Sequence, residues 1–230
     1  MNSGKIVGKI GFRYIEDIAR PGAEKVERLR KYSSCNLSDG MNKMYTMDAG
    51  IRAIVEPRKI AGPAVTVKLH LGDNLMLHKA LSLVKPGDVL VVDSRGCPDT
   101  SACGDIMMRR MQKLGVAGVI VDGAVRDVEG IREIGLAVYA RAAVPSGGSK
   151  NGPGEVNFPV ACGGVVVNPG DVVLADETGV VVIPMADIDE TISGAEQKLA
   201  KEAKSLASIE AGNLVMSGVD DLLAKAGIAK

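Results

Sequence analysis

The chain contains no tryptophan and only two phenylalanines in 230 residues. A core built without large rings must come from valine, isoleucine, leucine, alanine and methionine, and 28 glycines imply many tight turns between short elements. An excess of one charge is missing too: lysine plus arginine equals aspartate plus glutamate at 28 each. Nonspecific nucleic-acid binding needs a basic field that neutralises phosphates, so direct nucleic-acid binding is not expected. The four cysteines, Cys35, Cys97, Cys103 and Cys162, form no CxxC pair, and there are only two histidines. A structural zinc site is therefore not expected, and the thiols read as reduced and partly buried. A long hydrophobic run is also absent. The most apolar stretch, "GGVVVNPGDVVLADETGVVVIP", is broken by Pro169, Asp171, Asp176 and Glu177, whereas a membrane helix needs about 20 mostly apolar residues. The opening "MNSGKIVGKIGFRYIEDIAR" alternates apolar and charged residues without a signal-peptide core. A cytoplasmic protein with no membrane partner is the expectation.

What is present is an ordinary globular mixture, 46% hydrophobic and 24% charged, long enough for one large domain. Residues 24–44 predict two short helices, with Ser38 or Asp39 as the cap of the second. "KIAGPAVTVKLHL" reads as a strand, "LMLHKALSLV" as a helix and "VLVVD" as a second strand. Thr100 to Leu114 then reads as a helix, "VAGVIVDG" as a buried strand, Val128 to Ile134 as a short helix and "LAVYARA" as another strand. After residue 145 the polar "PSGGSKNGPGEVNFP" predicts a flexible loop. Three short β segments follow it, with "NPGD" and "DETG" as hairpin connections. A charged amphipathic helix closes the pattern at about residues 185–212, either as a solvated face or as a bridge to another subunit. No repeat or linker divides the chain, so residues 1–230 read as one domain with its core at about 30–184. A parallel βα core followed by a small antiparallel section gives the fold class: α/β, in three layers of sheet, sheet and helix.

One spacing carries chemistry. In "GDIMMRRMQKLGVAGVIVDGAVRD", Asp105 lies one helix and one strand before Arg126 and Asp127. Ligands of open α/β sheets gather at the carboxyl ends of strands, near helix N-termini, and this spacing brings two acids and an arginine to the same edge. Free amides at the helix start attract an anion, and Gly104 leaves its approach clear. Arg126 offers a planar fork to a carboxylate or enolate oxygen. Asp127 is a hard oxygen ligand suited to magnesium or manganese, and Asp105 can hold one of that ion's waters and move its proton. The plain alternative stands beside this reading: Arg–Asp neighbours are common on surfaces, and Asp105 could simply complement the helix dipole.

The same stretch resembles the signature of the 4-hydroxy-4-methyl-2-oxoglutarate aldolase family, which also contains the regulator of ribonuclease activity A. "LSDGM", "IAGPAVTV", "GDN", "PGDVLVVD" and "NPGDVVLADETGVVVIP" sit where that family has comparable segments, so the likeness spans about residues 30 to 212. The resemblance implies a divalent-metal class II pyruvate aldolase that uses magnesium or manganese, acts on a 2-oxo acid and assembles as trimers or hexamers. By position it implies that Gly104, Asp105, Ile106 and Met107 line the substrate carboxylate with main-chain amides. Arg126 would bind substrate and stabilise the pyruvate enolate, Asp127 would ligate the metal, and Asp105 would orient a water of the metal that serves as acid and base. A glutamate from a neighbouring subunit belongs near that water; Glu202 is the best match, with Glu196 competing. Lys150 is either a carboxylate contact or a solvated lysine. Oxaloacetate decarboxylation, which needs the same electron sink, is implied as a side activity.

His70 and His78 lack partner motifs and read as structural. The β-rich segment 163–184 resembles phosphohistidine swivelling domains, but "SGGSKNG" carries no histidine. That stretch is no phosphate loop either, since it lacks the Gly-Lys-Ser/Thr ending. No glycine fingerprint for nucleotide-methyl transfer follows a first strand. The rival from another class is a noncatalytic regulator that binds an RNA-processing enzyme, because family regulators can keep the aldolase motif.

Overall fold

The computed structural model describes residues 4–215 and 218–228. Its elements in chain order are β1 (Ile6–Lys9), β2 (Phe12–Ile15), α1 (Ala23–Arg30), α2 (Ser34–Gly40), β3 (Arg52–Ala53), β4 (Ile60–Leu69), α3 (Leu75–Ala80), β5 (Val89–Cys103), α4 (Asp105–Lys113) and β6 (Gly118–Val125). There follow α5 (Val128–Ile134), β7 (Ala137–Ala143), β8 (Gly154–Val156), β9 (Val160–Cys162), β10 (Val165–Val167), β11 (Val172–Ala175), β12 (Val180–Ile183), α6 (Ile188–Glu210) and α7 (Val219–Lys225). Eight strands run in the order β1-β2-β8-β4-β5-β6-β7-β3, with β4, β5, β6 and β7 mutually parallel. Strand β4 serves two partnerships: Ile60–Pro63 pair with β11, and Ala64–Lys68 pair with β5. That hand-over joins the β11–β12 hairpin to the parallel core.

Three apolar clusters fix the layers. Helices α3, α4 and α5 bury Leu77, Met108, Met111 and Ile131 against Val65, Val92 and Val121 on one sheet face. The opposite face, through Val91 and Ile120, meets Val167, Val173 and Val182 of β10–β12. The outer side of β11–β12, Leu174 and Ile183, packs on Leu29, Leu37, Ile188 and Ile192 of α1, α2 and α6. The expected sequence of sheet, sheet and helix is present, and α3–α5 cover the free side of the first sheet as a further helical layer. Alternation along β11 and β12 explains the middle layer: residues facing opposite sides are both apolar, as strands buried on two faces require.

Several local readings are corrected. The helix expected from Thr100 begins only at Asp105, because Ser101 and Cys103 pair with Ala124 and Val125 and extend β5 to 15 residues. Pairing with β6 outcompetes the local helical preference of this segment. "NPGD" is not a hairpin turn, since it links β10 to β11, which lie in different sheets. The turn between β9 and β10 is instead Gly163–Gly164, both at positive φ (57° and 76°), the two-residue geometry that glycine supplies. "DETG" does join the β11–β12 hairpin. Ser33, not Ser38 or Asp39, caps α2, in a reciprocal capping box with Asn36. The polar loop after residue 145 contains β8, and the β1–β2 hairpin was not anticipated. Helix α6 buries Ile188, Ile192 and Ala195, then leaves Leu199, Leu206 and Ile209 exposed. No helix among the described residues is long and apolar enough to cross a membrane.

Candidate active site

The two parts of the signature meet because β5 and β6 end side by side. Cys103 pairs with Val125, and the Arg126 amide donates to the Cys103 carbonyl at 3.0 Å. Gly104, the residue before α4, therefore lies directly against the Arg126–Asp127 pair. A Cβ at Gly104 would stand 2.9 Å from Arg126 Cγ and 3.0 Å from its Nε, and would strike the Asp127 carboxylate. Its backbone φ of −129° is open to any residue, so close approach, not conformation, demands glycine here. Gly147 makes room in the same way for the Arg126 guanidinium.

Asp127 occupies the left-handed region at φ 59° and precedes α5 without capping it through its side chain. Its Oδ2 instead lies 3.2 Å from Arg126 Nε. A non-glycine residue held in that region costs about 1 kcal/mol or more and persists where its surroundings enforce it, commonly at functional sites. Asp105 stands in the first turn of α4, with Oδ2 3.6 Å from Arg109 Nε. Gly130 of α5 brings the two helices close enough that a Cβ there would be 2.8 Å from Asp105 Cβ. The first α4 hydrogen bond recorded at its N-terminus runs from the Met108 amide to the Gly104 carbonyl. The amides of Asp105, Ile106 and Met107 precede it, and such amides at a helix start are donors for an anion.

A cavity of about 260 Å³ opens here. Gly104, Asp105, Ile106, Met107, Arg126, Asp127 and Lys150 all line it, so seven of the expected site residues come together within one chain. Glu202 does not: it lies on α6 near Lys198, whose ammonium is 3.1 Å from Asp39. Glu196 accepts a hydrogen bond from the Tyr32 hydroxyl at 2.9 Å. Neither glutamate is among the residues of this cavity.

The cavity also contains residues that the sequence reading passed over. Asn74 is buried; its Nδ2 donates to the Ala102 carbonyl at 3.0 Å, and its Oδ1 has no protein partner. The signal was the polar "GDN" immediately after an apolar strand. His78, read as structural, lines the cavity beside Arg110 and Lys150. Burial, reinforced by the charges of Lys150 and Arg110, pushes its imidazole below the ordinary value, which leaves the ring neutral at pH 7. Cys103 also lines the wall, but burial raises its thiol to about 12, so it is no nucleophile. His70 lies in a separate groove with Arg13 and Lys68.

No group of three or more histidine, cysteine or acidic side chains able to hold an ion occurs among the described residues, so a fully protein-caged ion does not fit. Two carboxylates and the unpartnered Asn74 oxygen on one cavity do fit a hard cation that takes few protein ligands and keeps most of its waters.

Fold and site together define an α/β protein with a polar cavity at the carboxyl ends of adjacent parallel strands. The chain belongs to the RraA-like family, described as Aldolase/RraA, whose family model matches residues 34–182. It is 32% identical over 177 residues to a putative 4-hydroxy-4-methyl-2-oxoglutarate aldolase of Halalkalibacterium halodurans, covering 77% of this chain and 84% of that protein. It is 40% identical over 126 residues to the 4-hydroxy-4-methyl-2-oxoglutarate aldolase of Thermus thermophilus, covering 55% and 76%. Among solved structures, Streptomyces coelicolor RraAS2, described as an unusual member of the RNase ES inhibitor RraA protein family, superimposes with a TM-score of 0.75. It shares 32% identity, with 82% of this chain and 98% of that one covered.

Proposed function

We propose that this protein is a divalent-metal-dependent class II pyruvate aldolase. Its substrate is a 4-hydroxy-2-oxo acid such as 4-hydroxy-4-methyl-2-oxoglutarate, cleaved to pyruvate and a second oxo acid, and it decarboxylates oxaloacetate as a side reaction. The observation that carries this reading is the meeting of Asp105, Arg126 and Asp127 around the α4 N-terminus in one cavity. The names of the relatives agree with it.

The α4 amides and Arg126 bind the 2-oxo acid through its carboxylate and 2-oxo oxygen. The C4 hydroxyl loses its proton toward Asp105, the C3–C4 bond breaks, and C4 becomes a carbonyl. The bonding pair passes into the enolate of pyruvate, whose oxyanion Arg126 stabilises. The proton then returns to C3 and releases pyruvate. With oxaloacetate the same bond breaks as carbon dioxide departs. Asp127, with Asp105 beside it, would hold magnesium or manganese, which would supply positive charge for polarising the 2-oxo group. Lys150, on the same cavity, is a further contact for a substrate carboxylate. Trimers or hexamers bring Glu202 of one chain to the cavity of another, and the exposed Leu199, Leu206 and Ile209 around it supply an apolar contact. The cytoplasm is the proposed compartment.

A noncatalytic regulator that binds an RNA-processing enzyme is the second reading, favoured by the likeness to RraAS2 across 98% of that chain. Pyruvate release from 4-hydroxy-4-methyl-2-oxoglutarate and from oxaloacetate, with magnesium and with chelator, separates the two. The aldolase shows metal-dependent turnover that Asp127→Ala reduces at least about a hundredfold. A regulator shows no turnover on either substrate.

A further inference from the structure

The residue that organises the loop carrying Lys150 lies outside the signature. Asp73 is 3% exposed, yet a single carboxylate there receives four donors. Its Oδ1 accepts the Leu75 amide at 2.8 Å, and its Oδ2 accepts the Ser149 hydroxyl and the amides of Asn151 and Gly152, each at 2.7 Å. The backbone adds two bonds: the Ser149 amide donates to Gly72 at 2.8 Å, and the Asn74 amide donates to Ser149 at 2.9 Å. Gly152 approaches so closely that a Cβ there would be 2.9 Å from Asp73 Cβ. On the other side of the loop, Gly147 bridges to Ser101 and leaves the space that the Arg126 guanidinium occupies.

We propose that Asp73 is a positioning residue: its carboxylate fastens the 149–152 segment to the sheet edge and thereby sets Lys150 against the cavity. Glycines and polar residues give this loop little apolar burial of its own, so the charged acceptor replaces packing as the source of order. The part of the loop in turnover rests on the aldolase reading, whereas the fastening does not. The same carboxylate ends one residue before Asn74, so the latch also anchors the chain at the unpartnered Asn74 oxygen.

The test compares wild type, Asp73→Asn and the milder Ser149→Ala as full chains with magnesium present. Trypsin cleavage after Lys150 is followed by mass spectrometry, because the next two amides are those that Asp73 holds. Released loops are cut in proportion to the open population. Asp73→Asn should accelerate this one cleavage about tenfold or more, Ser149→Ala less, with the other sites and the melting temperature little changed. Cleavage after Lys150 that stays at the wild-type rate overturns the proposal, and so does acceleration at all sites alike. A pyruvate-release cycle with Lys150→Ala supplies the second measurement. Asp73→Asn should raise KM more than it lowers kcat, and should add less than about twofold once Lys150 is gone; fully additive effects overturn the positioning role. Absence of turnover in every variant sinks the aldolase reading and leaves the latch to be judged by proteolysis.

Discussion

Gly104 and Asp127 illustrate how a backbone position becomes chemistry. Asp127 is driven into the left-handed region by the tight exit of β6 into α5, and only a residue without a Cβ fits opposite it. Gly104→Ala is therefore expected to lower kcat/KM at least about a hundredfold, or about 2.7 kcal/mol of transition-state stabilisation. The new methyl must push the Asp127 carboxylate and Arg126 aside, while the helix start itself tolerates alanine. A melting temperature within a few degrees of wild type, measured beside steady-state pyruvate release, is the matching stability result; wild-type kinetics would break the account. These residues were legible because one helix and one strand fix the distance between Asp105 and Arg126. Asn74, His78 and Arg110 were not: they enter the cavity through the docking of α3 beside α4, and no spacing along the chain encodes that docking.

The elements reveal a second pattern that only register could show. Arg13, Glu155, Lys68, Asp93 and Asp122 occupy paired positions across β2, β8, β4, β5 and β6, and Arg141 of β7 closes the row with an ion pair to Asp122. Each residue was visible in the sequence. The parallel placement of β8 beside β2 was not, because a three-residue strand inside a polar loop carries no alternation to read. The row contains one unfavourable neighbour pair, Asp93 beside Asp122. Burial, with the Asp122 charge adding to it, raises the Asp93 carboxyl above the ordinary range, against the hydrogen bond from the Arg95 amide. A carboxyl raised in the folded state favours folding most when protonated, so its contribution is full below the unfolded value and falls as pH rises through the folded value. Asp93→Asn removes that ionisation and keeps an oxygen for the Arg95 amide. Urea melts should show the variant gaining stability relative to wild type as pH rises from about 4 to about 8. A gain that shrinks with pH would contradict the assignment.

At the scale of the molecule, the apolar stripe of α6 is the feature that one chain leaves incomplete. Ile188, Ile192 and Ala195 pack inside, and the same stripe continues outward as Leu199, Leu206 and Ile209, with Glu202 set among them. The sequence already showed the helix and its acids, but not where the body ends beneath it, since that depends on how far α2 reaches along α6. If Glu202 serves the cavity of a neighbouring chain, each working site combines Asp127 of one subunit with Glu202 of another. Asp127→Ala and Glu202→Gln homo-oligomers are then both impaired, but for different halves of the site. Unfolding and refolding them together at equal amounts forms mixed assemblies in which about one site in four receives both native residues, by random pairing around a closed ring. Pyruvate release should recover to about a quarter of the wild-type rate after co-refolding and should stay at the level of the parents when the preformed oligomers are merely mixed. No recovery on co-refolding, with assembly verified by light scattering, would place Glu202 outside the neighbouring site and leave its chain's own cavity to work without it.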